Sequence, residues 1–223
     1  MGTLTRRPRR AALRAGLALG LLAALLSGCD LFKPATPEAG SGGTTLLPDY
    51  SHPESCLVYM KIGIERKDNP GQDAYLGALA DTANDHVAGF HAFFDAAVWN
   101  AYTGIKPADW DLLHETQFLS VFVRLKAAQY EMLWLPDVDH IHDETSPDGN
   151  QMILHRRYEV RALQQPPVLI AVGYADLYFT KISGSRWALT RWQDRVAPDI
   201  GAPPTDPEQQ SFGSRRLNLG AGG

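Results

Sequence analysis

Val168-Leu-Ile-Ala-Val-Gly-Tyr-Ala-Asp-Leu-Tyr-Phe-Thr-Lys-Ile-Ser183 reads as one long strand, and Trp187-Ala-Leu-Thr-Arg-Trp-Gln-Asp194 as its return. Both carry the period-two alternation of a half-buried strand, and Ser183-Gly-Ser185 supplies the hairpin turn between them. The same period extends upstream through Gln151–Leu163 and Tyr130–Leu135. These segments predict an antiparallel meander that ends near Asp194.

Before Tyr130 the pattern is helical. Ser51-His-Pro-Glu54 has the form of a capping box, with Pro53 inside the first turn. Beyond it Leu57, Met60 and Ile64 form an apolar stripe that runs to the breaker Lys67-Asp-Asn-Pro-Gly71. A short helical piece is expected around Asp73–Ala80. The aromatic-dense stretch Gly89–Trp99 is expected to pack over the mouth of the core. Pro107-Ala-Asp109 introduces a further helix to about Leu125, with Leu112, Leu113, Phe118, Leu119, Phe122 and Val123 spaced for one buried face. Helices first and strands after is an α+β order. The expected architecture is N-terminal helices packed on a curved antiparallel sheet over residues 50–198. Residues 199–223 are expected to form a loose or extended Pro/Gly-rich tail, and no internal repeat is present.

The closing hairpin resembles that of the NTF2-like (SnoaL-like) superfamily, whose last strand commonly reads Trp-x-Ile/Leu-x-x-Trp-x-Asp/Glu. Here Trp187, Leu189, Trp192 and Asp194 stand at those positions. The resemblance covers about residues 50–196 and implies a cone-forming sheet with a pocket between its concave face and the helices. It implies no single activity, since that fold hosts isomerases, dehydratases, binding modules and assembly domains.

The amino-terminal segment has a different logic. Arg6, Arg7, Arg9, Arg10 and Arg14 precede an uncharged run of 12 residues, Ala15–Leu26. As a helix that run would span roughly 18 Å, short of the ~30 Å hydrocarbon core, so it reads as an export signal rather than a permanent span. The twin-arginine form is only loosely met, since Ala12 holds the expected aromatic position, and Sec export is the expected route. Leu26-Ser27-Gly28-Cys29 then resembles a bacterial lipobox at all four positions. The resemblance implies cleavage between Gly28 and Cys29, a diacylglyceryl thioether on the Cys29 sulfur, and acylation (palmitate-type) of the new amino terminus. Two or more acyl chains anchor stably where one does so only marginally. The localisation expected is the cell envelope, lipid-anchored and facing the periplasm or exterior. Asp30 leans the choice toward the inner membrane. Residues 29–49 are rich in Pro, Gly, Ser and Thr and read as a flexible tether.

Charge narrows the partners. The chain carries −4 overall, but the first 28 residues hold five arginines and no acid, leaving 16 basic against 25 acidic side chains, near −9, beyond them. Nucleic acid and anionic lipid repel such a surface. With Cys29 acylated, Cys56 is the one remaining cysteine, so no internal disulfide is available, and its helical setting predicts a small buried hydrophobe.

Candidate chemistry is sparse. Along Met152–Ala162 the even positions are apolar except Arg156, and on the next strand Val168, Ile170, Val172, Tyr174 and Tyr178 share a face with Asp176. Arg156 and Asp176 are therefore expected to meet near Trp192 at a pocket wall, either as a ligand anchor or as an ion pair that satisfies the sheet. Asp137-Val-Asp-His-Ile-His-Asp-Glu144 is the richest cluster of metal-ligating types. It lacks the His-x-x-x-His helix spacing, and suits a strand end entering the turn Thr145–Asn150. His86, His91 and His114 read as surface or capping residues. Gly-x-Ser-x-Gly, Gly-rich phosphate loops and Cys-x-x-Cys are all missing from the sequence.

The leading expectation is a membrane-tethered envelope lipoprotein with a non-enzymatic binding or assembly domain. It carries no metal and no cofactor, and its partners are the membrane, an unknown small molecule or envelope protein, and a second copy through the outer sheet face. The alternative is a SnoaL-like enzyme of isomerase, dehydratase or hydrolase type, using Asp176 and a histidine in the cone. A closed cone packed with aromatics argues against ligand and chemistry there. A roomy pocket with a raised-pKa carboxyl beside a histidine argues for the enzyme.

Overall fold

The computed structural model describes residues 48–125, 129–136, 142–182, 184–195 and 211–220. The export signal, Gly28, Cys29 and all of the tether but Pro48 and Asp49 lie outside the described residues. Helix α1 (Pro53–Glu65) turns Cys56, Leu57, Met60 and Ile64 into the core, as the stripe predicts. The capping box does not form. Proline is pre-set for the first helical turn and needs no N–H there, so the cap falls on His52, without a side-chain cap bond. The Ser51 N–H instead donates to Asp49 Oδ1 at 2.9 Å. Helix α2 (Asn69–Gly77) starts earlier than Asp73 because the Asp68 carboxylate accepts the Gly71 N–H and caps it.

After a single turn, α3 (Thr82–Asp85), come β1 (His91–Phe93), α4 (Ala96–Ala101) and α5 (Leu112–Leu125). Phe118, Leu119, Phe122 and Val123 of α5 are buried as their spacing predicts, while Leu113 faces outward. Glu115 lies on the same stripe, at i−3 and i−4 from Phe118 and Leu119, and is fully buried.

Strands β2 (Tyr130–Pro136), β3 (Glu144–Thr145), β4 (Gln151–Ala162), β5 (Val168–Lys181) and β6 (Trp187–Arg195) follow. The sheet order is β1-β6-β5-β4-β2, with β3 also on β4. The β2–β6 meander is antiparallel as expected, but β1, arriving from the helical half, adds parallel to the free edge of β6. The sheet is therefore mixed and open rather than purely antiparallel. Irregularities at Val160/Arg161 and Tyr178/Phe179 interrupt the register, and such bulges bend a sheet into a curve. Its inner face carries Leu154, Tyr158, Leu177, Phe179, Leu189 and Trp192, buried together with the helical stripes in one core.

Cys56 sits inside that core, where burial pushes its thiol up to about 12. In a Cys29→Ser chain, reaction with a thiol reagent at pH 8 is expected to be at least ~100-fold slower under native conditions than in urea, since the thiolate is the reactive species. Comparable rates in the two conditions would refute this placement.

The carboxy-terminal expectation needs correction. Residues Phe212–Gly220 form helix α6, whose Phe212, Gly213, Arg216, Leu217 and Gly220 are buried. The helix belongs to the folded domain, contrary to the loose tail expected. Its apolar and cationic side chains recur at i, i+4 and i+5, a helical face that a Gly-rich composition concealed.

Candidate functional site

The concave face of the sheet is where a pocket would lie, and α6 occupies it. Phe212 stacks on Trp192 (centroids 5.6 Å apart, planes 21° apart) and meets the edges of Tyr158 and Phe118 at 5.6 and 5.7 Å. Phe122 and Trp134 extend the cluster on either side. Leu217 is buried with them.

Two fully buried polar anchors hold the helix, beside the part-buried Arg215, which donates to the Ile170 carbonyl of β5 at 2.8 and 3.0 Å. The Arg216 guanidinium donates twice to the Glu115 carboxylate, Nε to Oε2 and Nη2 to Oε1, both at 2.8 Å. The same carboxylate accepts Tyr75 Oη at 2.6 Å and Trp110 Nε1 at 2.7 Å. Glu115 thus receives four donors, and both partners of the pair are 0% exposed. The Arg216 guanidinium carbon also lies 4.2 Å from the Trp192 ring centroid, a cation–π distance. Burial alone would lower the Arg216 pKa, but the Glu115 carboxylate reverses that and raises it. Tyr75 is driven well above the usual phenol range by burial and by the charge of Glu115.

The second anchor is Asp194, the last residue of the strand motif. Its carboxylate accepts Tyr158 Oη at 2.6 Å and the Gly213 N–H at 2.9 Å. Tyr158 Oη in turn accepts the Phe212 N–H at 2.9 Å, so two amino-terminal donors of α6 are satisfied by the cone wall. A Cβ on residue 213 would stand 2.6 Å from Asp194 Oδ2, which is why glycine is needed at this approach. Burial raises the Asp194 carboxyl above the usual carboxylate range, against the hydrogen bonds from Tyr158, Ser211 and Gly213 that favour its charged form.

Of the three residues singled out for a pocket wall, Trp192 lies in the core of the cone, Arg156 stands on the inner-face side of β4 opposite Ala175, and Asp176 is on the outer face. Arg156 and Asp176 do not meet. Directly paired residues share a sheet face, and the register pairs Arg156 with Ala175 and Asp176 with His155. Arg156 leans over the strand end to form a two-pronged pair with Asp143, at 2.6 and 2.8 Å. Asp176 lies on the outer face, bonded to His155 Nδ1 at 2.7 Å and Arg195 Nη2 at 2.8 Å. The alternation of β5 was legible, but its phase was not. Val172, Tyr174 and Tyr178 are apolar on the outer face, while the inner face presents the small Ala171, Gly173 and Ala175, leaving room for α6.

His140 lies outside the described residues, and His142 is exposed. Among the described residues no group of three His, Cys, Asp or Glu side chains could hold a metal ion. His91 bonds Asp109, His114 bonds Asp111, and His86 ends α3 in the left-handed conformation, the surface and capping roles expected.

No protein-family model matches the chain, and no curated protein sequence matches it. Solved structures similar to it include a protein of unknown function from Mycobacterium tuberculosis, at 9% identity over 75% of this chain and 86% of that one, with a TM-score of 0.48. An NTF2-like protein of unknown function from Pseudomonas putida matches at 11% identity, 67% and 86% coverage, and a TM-score of 0.43. A nuclear transport factor 2 (NTF2-like) superfamily protein from Salmonella enterica matches at 8% identity, 68% and 92% coverage, and a TM-score of 0.41.

Proposed function

We propose that the chain is a membrane-tethered lipoprotein of the cell envelope whose NTF2-like domain works by binding or assembly rather than by catalysis in its cone. One observation carries the second half of this reading: helix α6 fills the concave face with Phe212, Arg216 and Leu217. The two carboxylates inside, Glu115 and Asp194, are committed to Arg216 and Tyr158, and among the described residues no histidine is bonded to either. The Asp–His pair on the sheet, Asp176 with His155, stands on the opposite face, and His91–Asp109 and His114–Asp111 bond neither of these carboxylates. The tether rests on Leu26-Ser27-Gly28-Cys29 and the polar segment that follows.

The test is intact-mass spectrometry on protein taken from membranes of the native host. The expected species begins at Cys29 and carries the added mass of a diacylglyceryl group and a further acyl chain. Cys29→Ser is expected to abolish the added mass and the membrane association together. An unmodified chain beginning at Met1 would overturn the tether. For the cone, an apolar fluorophore is expected to show no saturable binding to the native chain, and a stoichiometric site that involves Trp192 would overturn the closed-cone half.

A further inference from the structure

The outer face of the sheet carries polar groups that the cone does not use. Glu144, Ile153, Tyr178 and Arg191 stand directly opposite one another, one each from β3, β4, β5 and β6. They line an open cleft of about 460 Å³, to which Thr180 and Thr190 add hydroxyls. The next row along the strands is His155, Asp176 and Gln193. Asp176 is shared by Arg195, so it acts as an accepting carboxylate, and His155 Nδ1 must carry the proton between them. In the neutral ring, Nε2 is then an acceptor.

Among the described residues that Nε2 is buried and has no hydrogen-bond partner. It lies 3.8 Å from Glu144 Oε1, with the His155 side chain 9% and the Glu144 side chain 66% exposed. With the ring neutral both atoms accept, and neither then satisfies the other. At the far end of the row the Arg191 guanidinium is sandwiched between the rings of Phe93 and Tyr178, at 4.5 and 4.9 Å, and held by Gln193 at 2.8 Å. Its Nε is also buried without a partner among the described residues. A buried polar atom left unpaired costs about 1–3 kcal/mol; Arg191 lines the cleft, and His155 stands in the next row against Glu144, which lines it too.

The geometry points to a binding site for a short peptide with free ends, its ammonium group held between Glu144 and His155 and its carboxylate on Arg191. A donor at the usual ~2.8 Å from both His155 Nε2 and Glu144 Oε1 subtends roughly 85° between them, within reach of two N–H bonds of one ammonium. An anion at that end is repelled by Glu144. Four strands at ~4.8 Å spacing put the two ends roughly 14 Å apart, the length of about four extended residues. The site rests on reading the domain as a binding module, and it requires neither the lipid tether nor the closed cone.

Tetra-alanine with free termini, titrated calorimetrically into the purified full chain, is the probe. Saturable one-to-one binding is expected. N-acetylation of the peptide and the Glu144→Gln variant are each expected to weaken it at least ~10-fold, as loss of a charge-assisted bond does. Amidation of the carboxyl end should weaken binding to the native chain but not to Arg191→Met. Glu144 is largely exposed, so unchanged thermal unfolding of Glu144→Gln separates lost binding from lost folding. Absence of saturation would overturn the site. Equal affinity for the acetylated peptide, or indifference to Glu144→Gln, would overturn it as well. Cleavage of the peptide that depends on Glu144 would support the site while overturning the non-catalytic reading of the domain.

Discussion

Replacing Arg216 by Met is expected to lower the stability of the domain by about 3–5 kcal/mol, the usual cost of stranding one partner of a fully buried ion pair. The methionine side chain keeps much of the length and apolar bulk, so the loss reports the missing charge rather than a void. Glu115 would keep only Tyr75 and Trp110 as donors among the described residues, both of them neutral. A domain of this size has about 5–15 kcal/mol in hand, so the loss is a large fraction of the whole. The neutral double variant Glu115→Gln/Arg216→Met tests the cause. The Gln carbonyl can accept from Trp110 while its amide donates to the Tyr75 oxygen, so no buried charge remains. It should recover at least half of the deficit. Urea unfolding followed by tryptophan fluorescence measures both. A deficit below about 1 kcal/mol for Arg216→Met, or none recovered by the double variant, would show that the pair does not hold the helix.

The sequence disclosed this pair only in part. Hydrophobic periodicity locates β2, β4, β5 and β6 within a residue or two, because a meander with one buried face imprints its period directly, and misses the two- and three-residue strands β3 and β1, too short to show a period. It also located the stripe of α5, but the stripe was read from its apolar members, and Glu115 passed unremarked among them. A carboxylate on a buried stripe is itself a signal, since it must have a partner. That partner lies 101 residues away on α6, where Gly213, Gly220 and the prolines before it dilute the helical pattern into that of a tail. Asp194 was seen as a motif position, yet its role needs Tyr158 on another strand and Gly213 on another helix. The misplaced Arg156–Asp176 pair has the same origin. Alternation tells which residues share a face and leaves open which face is inner, a choice set by the register with a neighbour. His155 against Asp176 was therefore invisible until β4 and β5 were aligned.

Phe212→Ala is the second large effect expected, at about 3–5 kcal/mol for truncating a fully buried phenylalanine. The argument goes beyond the size of the loss. Phe212 is the ring that occupies the space among Trp192, Tyr158, Phe118 and Phe122, and its backbone N–H is pinned to Tyr158 Oη. If those walls stay in place, truncation leaves an apolar cavity at the centre of the cone. Such cavities stay dry and accept benzene-sized guests. Benzene is therefore expected to raise the unfolding midpoint of Phe212→Ala in a saturable, concentration-dependent way and to leave the native chain unchanged, because only a state that binds the guest gains from it. Phe212→Leu, which keeps most of the volume, should lose less and respond less. Rescue confined to the alanine variant would mean that the cone is a ligand-sized chamber stoppered by its own chain. Rescue of the native chain to the same degree would mean that α6 leaves the cone readily and that Trp192 faces an open site. No rescue of any variant, with a small loss of stability, would mean that the walls collapse onto one another and that Phe212 is packing of the ordinary kind.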